Sequence, residues 1–156
     1  ALDLPLCAVS TLEALAHQHP HFNGLICPIL DARRQQVYHA LFSAERPYRR
    51  VTQDRAVSLQ ALFAELSAFS EPVLFVGDAV VGYRRLIEDA LGDRACFMPP
   101  EASVCRASAV ARLGLPQLAD GRAQTWRELV PQYVRRSEAE VKLAAKGGPD
   151  TRGALH

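Results

Sequence analysis

LICPILDARRQQVYHALF, residues Leu25 to Phe42, sets two apolar runs on either side of a short polar interval. Leu25–Asp31 and Gln36–Phe42 both read as β-strands, and Ala32–Gln35 is short enough to turn a hairpin between them. Pro28 weakens the first run, because it removes a donor from the ladder. Two arginines and two glutamines crowd the turn, which raises the question whether it is also a site. Arg33, Arg34 and Gln35 fall at the turn itself, while Val37, Leu41 and Phe42 are placed to pack the sheet. Their economical role is structural, and contact between the arginines and a partner is the alternative.

Outward from this hairpin the apolar period changes. Upstream, Leu6–Val9 reads as a short buried strand. Ser10-Thr11-Leu12-Glu13 then has the form of a capping box, in which the serine hydroxyl accepts an unpaired helix N–H and the glutamate reaches back. Leu12, Ala14, Leu15 and Ala16 carry that helix to about His17, and Pro20 and Gly24 end it. Downstream, Tyr48–Val51 reads as a third strand. Leu59, Leu62, Phe63, Leu66 and Phe69 then share one helical face. Pro72 breaks that helix, and Val73–Val76 reads as a buried strand ending at Gly77. Tyr83, Leu86, Ile87, Ala90 and Leu91 mark a second amphipathic helix, closed by Gly92, and alanine-rich Ser103–Leu113 a third. The order is a strand and a helix, then three strands, helix, strand, helix (βββαβα), which implies a layered α/β fold.

The 156 residues suit one domain or two small lobes, and an apolar content of 49% allows an ordinary core. The net charge of +1 and pI of 7.9 give no broad basic field for holding nucleic acid directly. Arg46, Arg49 and Arg50, Arg84 and Arg85, and Arg135 and Arg136 are short clusters with acids nearby, and read as solvated surface. Cys7, Cys27, Cys96 and Cys105 contain no C-x-x-C pair, so reduced thiols are expected. With no signal-peptide pattern and no apolar run of membrane-spanning length, a cytoplasmic location away from membranes is expected.

Three groups of residues merit a test as chemistry. His17 and His21 stand four apart, with His19 between them, a spacing that suits a metal on a helix. Pro20 interrupts that helix and no acid or cysteine lies close in sequence, so the group reads as a polar loop. FVGDAVVGYRRL, Phe75–Leu86, has the strand–glycine–helix form that offers backbone N–H groups to phosphate. Asp78 stands where a phosphate would need neutral or positive surroundings, and reads instead as a helix cap. Ser10, Ser58 and Ser103 lie at helix starts, where capping accounts for them. No serine, cysteine or paired-acid constellation points to catalysis.

LDLPLCAVSTLEALA (Leu2–Ala16), ILDARRQQVYHALF (Ile29–Phe42), VGDAVVGY (Val76–Tyr83) and LVPQYVRRSEAE (Leu129–Glu140), in that order, resemble the bacterial TsaB (YeaZ) family. The resemblance extends to about Lys142 and marks Asp31, Arg33, Arg34, Tyr38, Gly77, Asp78, Pro131, Tyr133 and Arg135 as signature positions. It implies an actin-like, ASKHA-type lobe of ribonuclease H-like plan. Residues 1–9 would end a first lobe and supply a connecting strand, residues 10–140 would form the second lobe, and 141–156 a disordered tail. It also implies a non-catalytic partner of TsaD in forming threonylcarbamoyladenosine on tRNA. TsaD-like and TsaE-like ATPase subunits would be its contacts, tRNA would be met only through the complex, and exposure of a lobe face would favour a homodimer.

The TsaD paralogue holds a metal with a His-x-x-x-His pair. Laid over VSTLEAL, that pair falls on Thr11 and Leu15, and leucine cannot be a ligand. The paralogue's Gly-Gly nucleotide turn falls on Gly77-Asp78. No catalytic, cofactor or metal residue is therefore expected. The alternatives are a glycoprotease-like metal-dependent hydrolase, which would need metal at His17, His19 and His21, and a nucleotide-binding lobe, which ATP would stabilise.

Overall fold

The two runs around the DARRQQ turn become β1 (Leu25–Asp31) and a partner strand in two pieces, β2 (Gln36–His39) and β3 (Phe42–Ser43). Both pieces keep one antiparallel register on β1, with Ile29 opposite His39 and Ile26 opposite Phe42. Pro28, which has no N–H to give, sits in the interval between them. There the Leu41 backbone serves the other side. Its N–H donates to Thr52 Oγ1 at 2.8 Å, and its carbonyl accepts from Val51 at 2.7 Å and Thr52 at 3.2 Å. This computed structural model describes residues 4–44, 48–131 and 134. Tyr133, Arg135 and the expected tail at 141–156 lie outside the described residues.

β4 (Arg49–Arg50) pairs with β3, and β5 (Arg55–Ser58) pairs with β2. On the opposite edge of β1 runs β6 (Val73–Val76), parallel to it, followed by β7 (Ala95–Phe97). β1 is thus the central strand, and its residues from Leu25 to Ile29 are buried whichever face they point to. Alternation divides them. Leu25, Cys27 and Ile29 join Val73 and Phe75 beneath α2 (Leu59–Leu66) and α3 (Ala79–Leu91), which contribute Leu62, Leu66 and Ile87. Ile26, Leu74 and Val76 face the other way, towards Leu12, Leu15 and Ala16 of α1 (Thr11–Ala16). Each such side chain removed from water contributes about 1.5–3 kcal/mol. Outside α1 lies α4 (Ala107–Ala119), whose Gly114 lets the chain at Cys7 come close: a Cβ there would stand 2.9 Å from the Cys7 Sγ.

Several expectations change. Leu6–Val9 forms no strand; Leu6 alone bridges to Gln124, through paired N–H···O bonds of 2.9 and 2.8 Å. β5 and β7 were not legible, the first because its residues are only partly buried, the second because it has three residues. The helix from Leu59 stops at Leu66, where i−3 bonds from Ala68 and Phe69 tighten its end. α4 begins at Ala107, not Ser103. A 3₁₀ turn at Pro100–Ala102 precedes it, and Ser103 Oγ donates to the Pro99 carbonyl at 3.4 Å instead of capping a helix. Among the described residues, no helix is long and apolar enough to cross a membrane.

Candidate functional site

The hairpin turn is built from residues that rarely adopt its backbone. Arg33, Arg34 and Gln35 lie in succession at φ 60°, 52° and 59°, a conformation costing about 1 kcal/mol or more for each residue bearing a Cβ. Local bonds hold it. Ala32 donates to the Gln36 carbonyl and Gln36 to the Arg33 carbonyl, both at 3.0 Å, and Asp31 Oδ1 accepts the Arg33 N–H at 2.8 Å. Asp31 in turn gives its own N–H to Asp78 Oδ1 at 3.1 Å. Asp78 occupies the N-cap position of α3 but its side chain caps nothing there, which corrects the expected role. Gly77 beside it has φ 109°, and a Cβ would lie 2.2 Å from the Ile29 carbonyl oxygen. Two segments far apart in sequence, Asp31 to Arg34 and Gly77-Asp78, therefore meet at the end of β1.

On the α1 side of the sheet a cleft of about 560 Å³ opens between the start of α1 and Leu129–Pro131, floored by Leu30 and Tyr38. Two of its polar groups, Ser10 and Asp54, are already engaged. Ser10 Oγ accepts the Glu13 N–H at 3.3 Å and donates to Asp54 Oδ2 at 2.6 Å. Arg50 pairs with Asp54 and, at 2.7 Å, with Glu13 Oε2, while its guanidinium lies 4.7 Å above the Phe42 ring. The capping box is thus half formed: serine caps, and glutamate goes to Arg50. Burial of Arg50 opposes its charge, but the bonds to Glu13 and Asp54 outweigh this and raise its pKa above the ordinary value. With Ser10 and Asp54 so committed, the described residues of the cleft offer no free nucleophile–base pair. Its rim is apolar, with Val130 71% exposed, and it suits docking of an apolar segment.

The positions that would match the paralogue's metal ligands do not fit a metal. Thr11 is exposed at the first turn of α1, and Leu15, 1% exposed, is part of the core. Among the described residues, no group of three or more His, Cys, Asp or Glu side chains could hold a metal ion. The segment at His17, His19 and His21, which sequence reads as a polar loop, is a run of turns after α1 that lines, with α4, a second cleft of about 460 Å³.

Sequence reasoning missed His39. Its side chain is fully buried, with Nε2 3.5 Å from Glu65 Oε2, and Arg55 pairs with the same carboxylate. Burial, aided by Arg55 and opposed by Asp54, lowers its pKa to about 4. The signal was its place between Val37 and Leu41 at every second position, which points it inward. Cys27 is buried too, and burial, aided by Glu65, pushes its thiol pKa far up, so it is not a nucleophile at neutral pH.

Residues 1–143 match the family described as tRNA N6-adenosine threonylcarbamoyltransferase (TsaD). The chain is similar to the tRNA threonylcarbamoyladenosine biosynthesis protein TsaB of Bacillus subtilis (strain 168), with 38% identity over 143 residues. That match takes in 91% of this chain but 61% of the relative, so the chain spans about three fifths of its length. Two solved structures share the fold. One, described as uncharacterized with similarity to peptidase YEAZ from Pseudomonas aeruginosa, has a TM-score of 0.64 at 20% identity, over 84% of this chain and 59% of its own. The other, YeaZ from Pseudomonas aeruginosa, has a TM-score of 0.58 at 18% identity, over 83% and 59%. The mixed α/β sheet is thus a fold that this chain shares with both structures.

Proposed function

The chain belongs to the TsaD/TsaB family of threonylcarbamoyladenosine proteins, and we propose that within it this chain is a non-catalytic scaffold. In this reading it takes part in forming threonylcarbamoyladenosine on tRNA by binding a TsaD-like catalytic subunit and a TsaE-like ATPase in the cytoplasm. It meets tRNA only through that complex. The observation that carries the reading is Leu15: an apolar side chain, 1% exposed, fills the core where a metal-binding paralogue would need an imidazole. Such a position cannot regain a ligand without opening the core.

The largely apolar rim of the first cleft supports binding rather than turnover, since Ser10 is tied to Asp54 and Asp54 to Arg50. Titration calorimetry against the cognate TsaD-type protein tests this, with a parallel titration of the TsaE-type ATPase. Saturable binding with a Kd of about 10 μM or tighter is expected. It should weaken about tenfold when Val130→Asp places a charge on the cleft rim. No binding to either protein, or threonylcarbamoyl transfer by this chain alone, would overturn the reading.

A further inference from the structure

Asn23 is the sole asparagine among the 156 residues, and a glycine follows it. The pair lies in the bend that leads from the turns after α1 into β1. Asn-Gly marks a change of chain direction, and it also sets an electrophile beside a nucleophile: the side-chain amide carbon and the next backbone nitrogen. Asn23 is exposed, so water reaches its carboxamide. Among the described residues, no group accepts a hydrogen bond from the Gly24 N–H. Glycine has no side chain to shield that nitrogen. The fold also requires glycine here. Gly24 has φ 141°, and a Cβ on it would stand 2.3 Å from the Pro72 carbonyl oxygen. Asp120-Gly121, at the end of α4, makes a contrast. Its glycine N–H is committed to the Leu118 carbonyl at 3.3 Å, and its carboxylate pairs with Arg122 at 3.0 Å.

We propose that Asn23 is a site of spontaneous deamidation, and that the isoaspartyl linkage it forms loosens the entry to the central strand. In the first step hydroxide removes the Gly24 N–H proton and the nitrogen attacks Asn23 Cγ. The bond from Cγ to Nδ2 breaks, and the amide nitrogen takes a proton from water and leaves as ammonia. The product is a five-membered succinimide. Water then adds to one of its two carbonyls. Opening at one gives ordinary aspartate, and opening at the other gives isoaspartate, whose main chain runs through the side-chain carbons. Water is the only other reactant, and nothing is oxidised or reduced. Isoaspartate adds one carbon to the main chain between two anchored residues. On one side Phe22 packs against the cluster of Ile26 and Phe42, and its N–H donates to the His19 carbonyl at 3.2 Å. On the other the Gly24 carbonyl accepts the Ala44 N–H at 3.1 Å, and Leu25 donates to the Pro72 carbonyl at 2.9 Å. The single residue between these anchors has no slack in which to take up the extra carbon, so one set of contacts yields.

The test ages the whole chain at mildly alkaline pH, folded and in urea, beside an Asn23→Ser variant. Mass spectrometry of the tryptic peptide containing residue 23 should show a gain of one mass unit in the parent and none in the variant. A protease that cuts before aspartate should leave most of the product whole, because it does not recognise isoaspartate. The folded chain should react within about tenfold of the unfolded one, since no larger opening is needed to expose the pair. The isoaspartyl fraction, separated on its added negative charge, should melt about 2–4 °C below the unaged parent. Asn23→Asp adds the same charge without the extra carbon, at an exposed position, and should melt with the parent. A folded chain that stays unmodified while the unfolded chain gains the mass would overturn the proposal. So would a product made only of ordinary aspartate, or an isoaspartyl fraction that melts with the parent. Neither cleft takes part, so the scaffold reading stands apart from each of these outcomes.

Discussion

Asp78 Oδ1 accepts the backbone N–H of Asp31 at 3.1 Å, across 47 residues of chain. That bond ties the strand-to-helix crossing after β6 to the end of the central strand, just before the left-handed turn at Arg33. Removing the carboxylate with Asp78→Ala leaves that strand-end N–H to water and should lower unfolding free energy by about 1 kcal/mol. Asp78→Asn keeps an acceptor oxygen and should lose less than half of that. Urea unfolding of the two variants beside the parent measures the difference.

Gly77 and Gly82 give opposite expectations for one substitution. At Gly77 an added methyl meets the Ile29 carbonyl oxygen at 2.2 Å, on a backbone with φ 109°, so Gly77→Ala should cost about 3 kcal/mol or prevent folding. Gly82 lies within α3 with nothing within 4 Å of an added Cβ. Gly82→Ala should raise stability by about 0.5–1 kcal/mol, through lower unfolded-chain entropy. Thermal melting of both separates the cases.

Arg50 joins α1 to the sheet through Glu13 and Asp54 while covering Phe42. Arg50→Met retains much of the packing but strands two part-buried carboxylates, and should cost about 2 kcal/mol. If Glu13→Gln is added, part of that loss should return, because a neutral amide tolerates the lost cation better. A double-mutant cycle in urea reads the coupling directly.

His39 gives stability a dependence on acidity. Folding lowers its pKa from the ordinary 6.5 to about 4, so between those values the unfolded chain holds the proton and the folded chain does not. The contribution is therefore complete above pH 6.5 and is lost as pH falls towards about 4, by up to the order of 3 kcal/mol. Glu65, 3.5 Å away, and Asp54 favour the charged imidazole and Arg55 opposes it, so the fall reflects burial most of all. Denaturant midpoints from pH 7.5 to 4 should decline less steeply in His39→Leu than in the parent.

Central elements were legible because their apolar pattern is local. Leu25–Asp31 and Val73–Val76 are dense apolar runs bounded by turn residues, and both strands stand where the pattern places them. Ser10 and Ser58 cap their helices as expected, each accepting an N–H three residues on. Leu6–Val9 looked the same as those strands, yet only Leu6 finds a partner, since a strand needs a neighbour that sequence does not display. Arg55–Ser58 failed in the opposite sense: it is too polar to read as a strand, and pairing with β2 alone makes it one.

Sequence by itself determined the centre of this protein: the hairpin, the Ser10 and Ser58 caps, and an apolar Leu15 on the inner face of the first helix. Those depend on residue type at fixed short spacings, which the chain carries openly. Only the tertiary structure decided that Asp78 serves Asp31 rather than its own helix, that Glu13 leaves its cap for Arg50, and that His17, Gln18 and His19 face Arg106 and Arg112 across a cleft. Each depends on which groups are brought together across long stretches of chain, where burial and charge, not local preference, choose a side chain's partner.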